Sequence, residues 1–151
     1  MKNKLTLLAL ALLLPTTSLA DEYSIIKPLW GKHYTERNFR GQDWNENYLD
    51  SIGAGYRHSS GFGGYAIYAN ENSVNNPAWY IHGEYMHQLN DYLAVGGALG
   101  IRNGYPKKVY NRSKNDFIPS GAGQVEGCYN DYCTLLMIAP NVSVINLKYK
   151  F

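Results

Sequence analysis

Val144-Ile145-Asn146-Leu147-Lys148-Tyr149-Lys150-Phe151 closes the chain. Ile145, Leu147, Tyr149 and Phe151 form one set, and Val144, Asn146, Lys148 and Lys150 alternate with them. Successive side chains of a strand point to opposite faces, so this segment reads as a strand with one apolar and one mostly polar face. The same period recurs upstream. Leu93, Val95, Gly97, Leu99 and Ile101 alternate with Ala94, Gly96, Ala98 and Gly100, and Trp79, Ile81, Gly83 and Tyr85 alternate with Tyr80, His82, Glu84 and Met86. Ile52, Ala54 and Tyr56 alternate with Ser51, Gly53, Gly55 and Arg57. Less regular strands are expected near 25–34, 64–70, 117–127 and 133–139.

That makes eight, an even number, as a closed single-chain antiparallel barrel requires. Closure leaves no sheet edge and satisfies every backbone group without water, so the expected fold is a transmembrane up-and-down β-barrel. Alternate aromatics and a final Phe resemble the assembly signal of bacterial outer-membrane barrels, which makes the barrel assembly machinery an expected partner in biogenesis. With both termini periplasmic, short turns fall near 58–63, 88–91 and 128–133, and longer loops near 35–47, 71–78 and 103–116 face outward. The last of these is basic, with Lys107, Lys108, Arg112 and Lys114, and suits either lipopolysaccharide phosphates or plain solvation.

Residues 1–20 read as a cleaved signal peptide, with 21–151 as the barrel domain. Lys2 and Lys4 form its charged start, Leu5–Leu14 is a ten-residue stretch of mostly Leu and Ala, and Ser18 and Ala20 supply the small residues before Asp21. Ten residues are too few to span a bilayer as a helix. An exported chain is either soluble or in the outer membrane of a Gram-negative cell, and the barrel pattern makes the bacterial outer membrane the expected location.

Of 151 residues only 17% are charged, yet mean hydropathy is negative, which excludes a bundle of membrane helices. Aromatic residues at 14% exclude a disordered chain. Residues 21–151 carry 12 of the 14 basic and all 12 acidic side chains, so they are neutral and give no electrostatic case for nucleic acid. Cys128 and Cys133, either side of the turn pair Asn130-Asp131, would face each other across a hairpin and suit a disulfide in an oxidising compartment. Two thiols without further nearby ligands are a poor metal site, and no cofactor or metal is expected.

The inward face is mixed. Arg57, His82, Glu84 and Arg102 are placed to pair inside, among the small residues Gly53, Gly55, Gly96, Ala98 and Gly100. A barrel of eight strands is just wide enough to be filled by side chains or to hold one small ligand. Room for an acyl chain and filling by tyrosines are both consistent with this face.

One order of motifs stands out. His33 lies on the first strand, then come Trp44-Asn45-Glu46, Ser51-Ile52-Gly53-Ala54-Gly55-Tyr56, Gly64-Tyr65-Ala66-Ile67-Tyr68-Ala69 and Asn72-Ser73. A Gly-rich strand and the aromatic-ended last strand follow. This order resembles the lipid A palmitoyltransferase family of outer-membrane enzymes. The resemblance implies an eight-stranded barrel that moves an acyl chain from an outer-membrane phospholipid to lipid A, as a monomer. It also implies a catalytic His at His33 and an Asp-Ser pair at Asn72 and Ser73, Asn here replacing Asp. The family's amphipathic helix before the barrel has little room between Asp21 and Leu29.

The residues carry a chemical reading of their own. Imidazole at His33 suits a general base near neutral pH, and Ser73 suits a nucleophile or a positioning hydroxyl. Asn72 suits an amide that orients the imidazole, without a carboxylate's stabilisation of imidazolium. All three belong at the outer rim, where Asn72-Ser73 is also ordinary turn sequence. A competing His58-Ser59-Ser60 element resembles the lipid A deacylase family but falls in a periplasmic turn. His82 and His87 face opposite sides of a strand, so they are poor joint ligands. Two other functions fit the same fold: a non-enzymatic surface barrel whose loops bind or shield a partner, and a secreted soluble barrel carrying a ligand.

Overall fold

The computed structural model describes residues 21–35, 43–105 and 116–151. The expected signal peptide and most of the basic loop lie outside these. Eight strands run in chain order: β1 Glu22–His33, β2 Ile52–Arg57, β3 Phe62–Ala69, β4 Ala78–Asn90, β5 Leu93–Arg102, β6 Ile118–Tyr129, β7 Tyr132–Ile138 and β8 Val142–Lys150. Each pairs antiparallel with the next, and β8 returns to β1 from Ser24↔Lys150 to His33↔Val142, closing the barrel. No described residue belongs to a helix, and β1 starts directly after Asp21.

The turns sort by length. At the end that holds Asp21 and Phe151, β2–β3, β4–β5 and β6–β7 are joined by 58–61, 91–92 and 130–131. Gly61 has φ +89°, and a Cβ there would stand 2.3 Å from the Met86 carbonyl oxygen, so only glycine fits. Cys128 and Cys133 are directly opposed across the last of these turns and joined as a disulfide. The other end carries the connections 34–51, 70–77, 103–117 and 139–141.

The outer wall is apolar. Ile25, Ile52, Ile81, Leu99, Ile145 and Leu147 all project outward, Leu99 to 78% exposure. Aromatics ring both rims: Tyr23 packs on Tyr56, Phe62 on Tyr85 and Tyr132 on Tyr149 towards the short-turn end, and Tyr68 on Trp79 towards the long-loop end. The interior is the opposite. Arg57, Glu22, Glu84, Glu126, Asn146 and Lys148 are all buried there. A water-soluble protein has these two surfaces exchanged, whereas hydrocarbon outside and polar groups satisfied inside is the arrangement of a lipid-embedded barrel.

Three layers fill the interior. Nearest the short turns lies an ionic plug centred on Arg57. Its guanidinium meets Glu126 through two bonds of 2.7 and 3.0 Å, Glu84 at 3.0 Å and Glu22 at 3.2 Å. Lys148 bridges Glu22 and Glu126, and Lys150 lies 3.7 Å from Glu22. Three carboxylates thus face three cations. The Arg57–Glu84 contact was legible in the strand pattern, whereas His82 instead meets Ser120 at 2.5 Å and Arg102 lies 4.5 Å above the Tyr105 ring. Above the plug Ile26, Tyr65, Ile67 and Ala98 pack together, with Met137 against them. A cavity occupies the third layer, under the long loops.

Candidate functional site

The cavity owes its shape to an irregularity in β1. Inward residues of β1 are Glu22, Ser24, Ile26 and Pro28, then Gly31 and His33. Strict alternation would turn His33 outward with Tyr23 and Ile25. The register against β8 shifts between Pro28 and Trp30, and Leu29 is the extra residue of a β-bulge. Proline has no N–H to give to a ladder, which makes this a natural place for the break. The bulge reverses the parity and turns His33 into the barrel.

Beyond Ile26, β1 has no β2 partner, and the loop segment 44–48 takes that place. Gly31 N–H donates to the Glu46 carbonyl at 2.9 Å, Tyr48 N–H donates to Leu29 at 3.2 Å, and Trp30 bridges to Asn47. The segment therefore delivers two side chains to His33. The Trp44 ring stacks on the imidazole, 4.1 Å between centroids and 2° between planes. The Glu46 carboxylate accepts the His33 backbone N–H at 3.0 Å and stands 3.8 Å from His33 Nδ1. Burial raises the Glu46 carboxyl pKa, but the His33 backbone amide and Lys32 together outweigh this and leave it below its ordinary value. At 3.8 Å Nδ1 makes no hydrogen bond to Glu46, and although buried it has no hydrogen-bond partner in the protein.

The same segment joins the third candidate. Asn45 N–H donates to the Ser73 carbonyl at 3.1 Å, and the Asn45 amide donates to the Asn72 carbonyl at 3.2 Å. Loop 70–77 is thereby tied to the loop that backs His33. Ser73 Oγ lies 3.3 Å from the Tyr105 hydroxyl, which meets the Tyr80 hydroxyl at 3.1 Å. Burial pushes the Tyr48 phenol well above its usual range, helped by Tyr105 and Glu46, and keeps it a neutral hydroxyl beside Ser73. His33, Ser73, Tyr48 and Tyr105 all line the one cavity, of about 100 Å³.

Asn72 is placed differently from the orienting amide that its residue type suggested. Its Oδ1 accepts from Val74 N–H at 2.9 Å and Asn76 N–H at 3.1 Å, and its Nδ2 donates to the Gly104 carbonyl at 3.0 Å. The whole amide is committed to shaping the loop, and Glu46 is the group behind the imidazole. Gly104 is itself constrained: φ is +85°, and a Cβ would lie 2.4 Å from the Pro77 carbonyl oxygen.

The remaining candidates lie elsewhere. His58 is at the opposite end of the barrel, where Nδ1 meets Ser60 Oγ at 2.9 Å and Nε2 lies 3.9 Å from Asp21. The Ser59 backbone N–H holds the Asp21 carboxyl below its ordinary pKa. His82 points inward and His87 lies on the other face of β4. Glu126, Cys128 and Cys133 are close enough to suggest a metal triad, but both sulfurs are bonded to each other and Glu126 is held by Arg57 and Lys148.

Strand alternation alone missed Tyr48 and Tyr105, which sit in loops. Glu46 stood in the Trp44-Asn45-Glu46 motif next in order after His33, where the sequence reading gave it no role.

No family model matches the chain, and no curated protein matches it. Among solved structures the chain is similar to the Yersinia pestis outer membrane protein Ail in a phospholipid bilayer nanodisc. The identity is 12%, the TM-score 0.44, and the match covers 86% of this chain and 99% of that one.

Proposed function

We propose that this chain is a monomeric bacterial outer-membrane barrel performing ester chemistry in the chamber under its long loops: acyl transfer to, or ester cleavage of, lipid A. The observation that carries the reading is a buried imidazole backed by a carboxylate, His33 with Glu46, in one cavity with the Ser73 hydroxyl. His33 Nε2 takes the Ser73 proton as Ser73 Oγ adds to an ester carbonyl. Glu46 stabilises the imidazolium that results, as a carboxylate does in hydrolase triads. The hydroxyls of Tyr48 and Tyr105 lie beside Ser73 and can donate to the developing oxyanion. His33 then protonates the departing alcohol, and water or an acceptor hydroxyl releases the acyl group. Donor and acceptor are outer-membrane phospholipid and lipid A.

The apolar outer wall supports a membrane position and speaks against a soluble carrier. A second reading, a non-enzymatic barrel whose loops bind a partner, is favoured by Asn72, whose amide serves only the loop's own architecture. Mass spectrometry of lipid A from cells with and without the protein separates the two. The enzyme reading expects an altered acylation pattern that His33→Ala abolishes. An unchanged pattern from folded, surface-located protein supports the binding barrel instead.

A further inference from the structure

The chamber wall carries a second imidazole–hydroxyl pair that the chemistry at His33 does not use. We infer that Ser120, with His82 as its base, is a further nucleophile of this barrel and accepts an acyl group from a carboxylic ester. The substrate class rests on the ester-chemistry reading of the chamber, whereas the residues and their geometry are separate from His33 and Ser73.

Strand register builds the pair. His82 on β4 lies opposite Gly100 on β5, and Gly100 lies opposite Ser120 on β6. All three fall on the inward side of the alternation. Gly100 puts no side chain in the row, and a Cβ there would stand 2.0 Å from the Ile81 carbonyl oxygen and 2.7 Å from His82 Cα. The imidazole reaches across that gap, and its Nε2 meets Ser120 Oγ at 2.5 Å. A base in direct hydrogen-bond contact with a serine is the arrangement that activates the hydroxyl.

Two observations distinguish this pair from a serine that only satisfies a buried histidine. His82 lines the chamber, and its other ring nitrogen, Nδ1, is buried there without a hydrogen-bond partner in the protein. An imidazole kept for structure has both nitrogens served, so the unserved one points to water or to a polar group of a substrate. The ring is also held in place, because Tyr65 stacks on it with 5.2 Å between centroids and 28° between planes. Ser120 itself is only half-buried, which leaves its hydroxyl open to an electrophile.

The step balances as two halves. With the ring proton on Nδ1, Nε2 accepts the Ser120 hydroxyl proton as Oγ adds to the ester carbonyl. The C–O bond to the alcohol breaks, and the alcohol leaves with that proton. Water then adds to the acyl-serine, returns a proton to Ser120 Oγ through Nε2, and supplies the hydroxyl of the released carboxylic acid.

The test treats the protein, refolded in detergent micelles, with a fluorophosphonate, which forms an Oγ–P bond on an activated serine and expels fluoride. Mass spectrometry of the peptides locates the label. Label is expected on Ser120, and His82→Gln should slow its appearance at least about 10²-fold. Should that variant not fold, His82→Phe keeps a ring in the same place without a base. Label on Ser73 alone overturns the role of Ser120 and leaves the ester-chemistry reading standing. Label on Ser120 that forms as fast without the His82 imidazole overturns the pair. Label on neither serine, in protein migrating as a folded barrel, overturns this inference and the ester-chemistry reading together.

Discussion

Replacing Arg57 by Met tests the ionic plug directly. The guanidinium is 1% exposed and is the shared partner of Glu22, Glu84 and Glu126. With it gone, Lys148 and Lys150 alone face three carboxylates, one buried negative charge is left over, and Glu84 loses its bond of 3.0 Å. Removing one partner of a buried ion pair costs about 3–5 kcal/mol, because the stranded charge keeps its desolvation penalty. Urea unfolding of the barrel in lipid vesicles, followed by tryptophan emission and by the mobility of unboiled protein, reads the loss. Arg57→Met combined with Glu84→Gln restores the charge count and is expected to recover about half of it, since the pair is coupled through one network. A loss below about 1 kcal/mol for Arg57→Met alone would mean that water reaches these carboxylates, and the picture of a dry, sealed lower barrel would be wrong.

Four further outcomes follow from particular contacts. Glu46→Gln keeps the shape behind His33 but not the charge, so esterase activity is expected to fall roughly 10²–10⁴-fold with the fold intact; unchanged activity removes Glu46 from the mechanism. The folded Glu46 carboxyl lies below its ordinary value of 4.5, so its stabilisation of the 44–48 segment is full above that pH and is lost as pH falls through the folded value. The hydrogen-exchange protection factors of the Gly31 and Tyr48 amides should fall below pH ~4.5, and pH-independent protection in that window counts against the Glu46 tie. Gly104→Ala forces a left-handed alanine against Pro77 and is expected to cost about 1–2 kcal/mol, read as loosening of loop 70–77 by protease sensitivity. The Cys128–Cys133 bond closes a loop of sequence separation 5, so replacing both by Ser is expected to cost at most about 2 kcal/mol and to leave the barrel closed, which the unboiled gel band reports.

The fold was legible because a barrel wall repeats a simple rule. Every strand segment expected from alternation is present, and Ile145, Leu147 and Tyr149 face outward as the pattern requires. Boundaries moved most where alternation was weak: β1 begins at Glu22, earlier than expected, and β4 runs on to Asn90. The site was legible only in part. His33 and Ser73 could be placed at the same rim from the order of strands and loops. That His33 turns inward could not be read, because it depends on one unpaired residue, Leu29, and a bulge leaves no periodic signal beyond a nearby proline. Asn72 illustrates the converse. Its residue type permits either a catalytic amide or a loop-forming one, and only the carbonyl of Gly104, distant in sequence, decides between them.

The division of the interior follows from the lengths of the connections. Two- and four-residue turns hold β2–β7 tightly at one end, where the ionic plug and the directly opposed cysteines add order without needing any loop. At the other end β1 outruns β2, and a loop must complete the wall. A backbone edge left open in lipid is not tolerated, so segment 44–48 docks on β1 through Gly31, Trp30 and Leu29. The docking that repairs the wall is the same docking that places Trp44 on the imidazole and Glu46 behind it. The chemistry proposed at His33 therefore depends on wall repair, and a variant that weakens the Gly31–Glu46 backbone tie should lower that activity before it lowers global stability. Gly31→Ala is such a variant, because its Cβ would stand 2.7 Å from the Tyr48 ring. Should it lose stability and activity in strict proportion, the repaired wall and the site would be one cooperative unit rather than a scaffold carrying a local device.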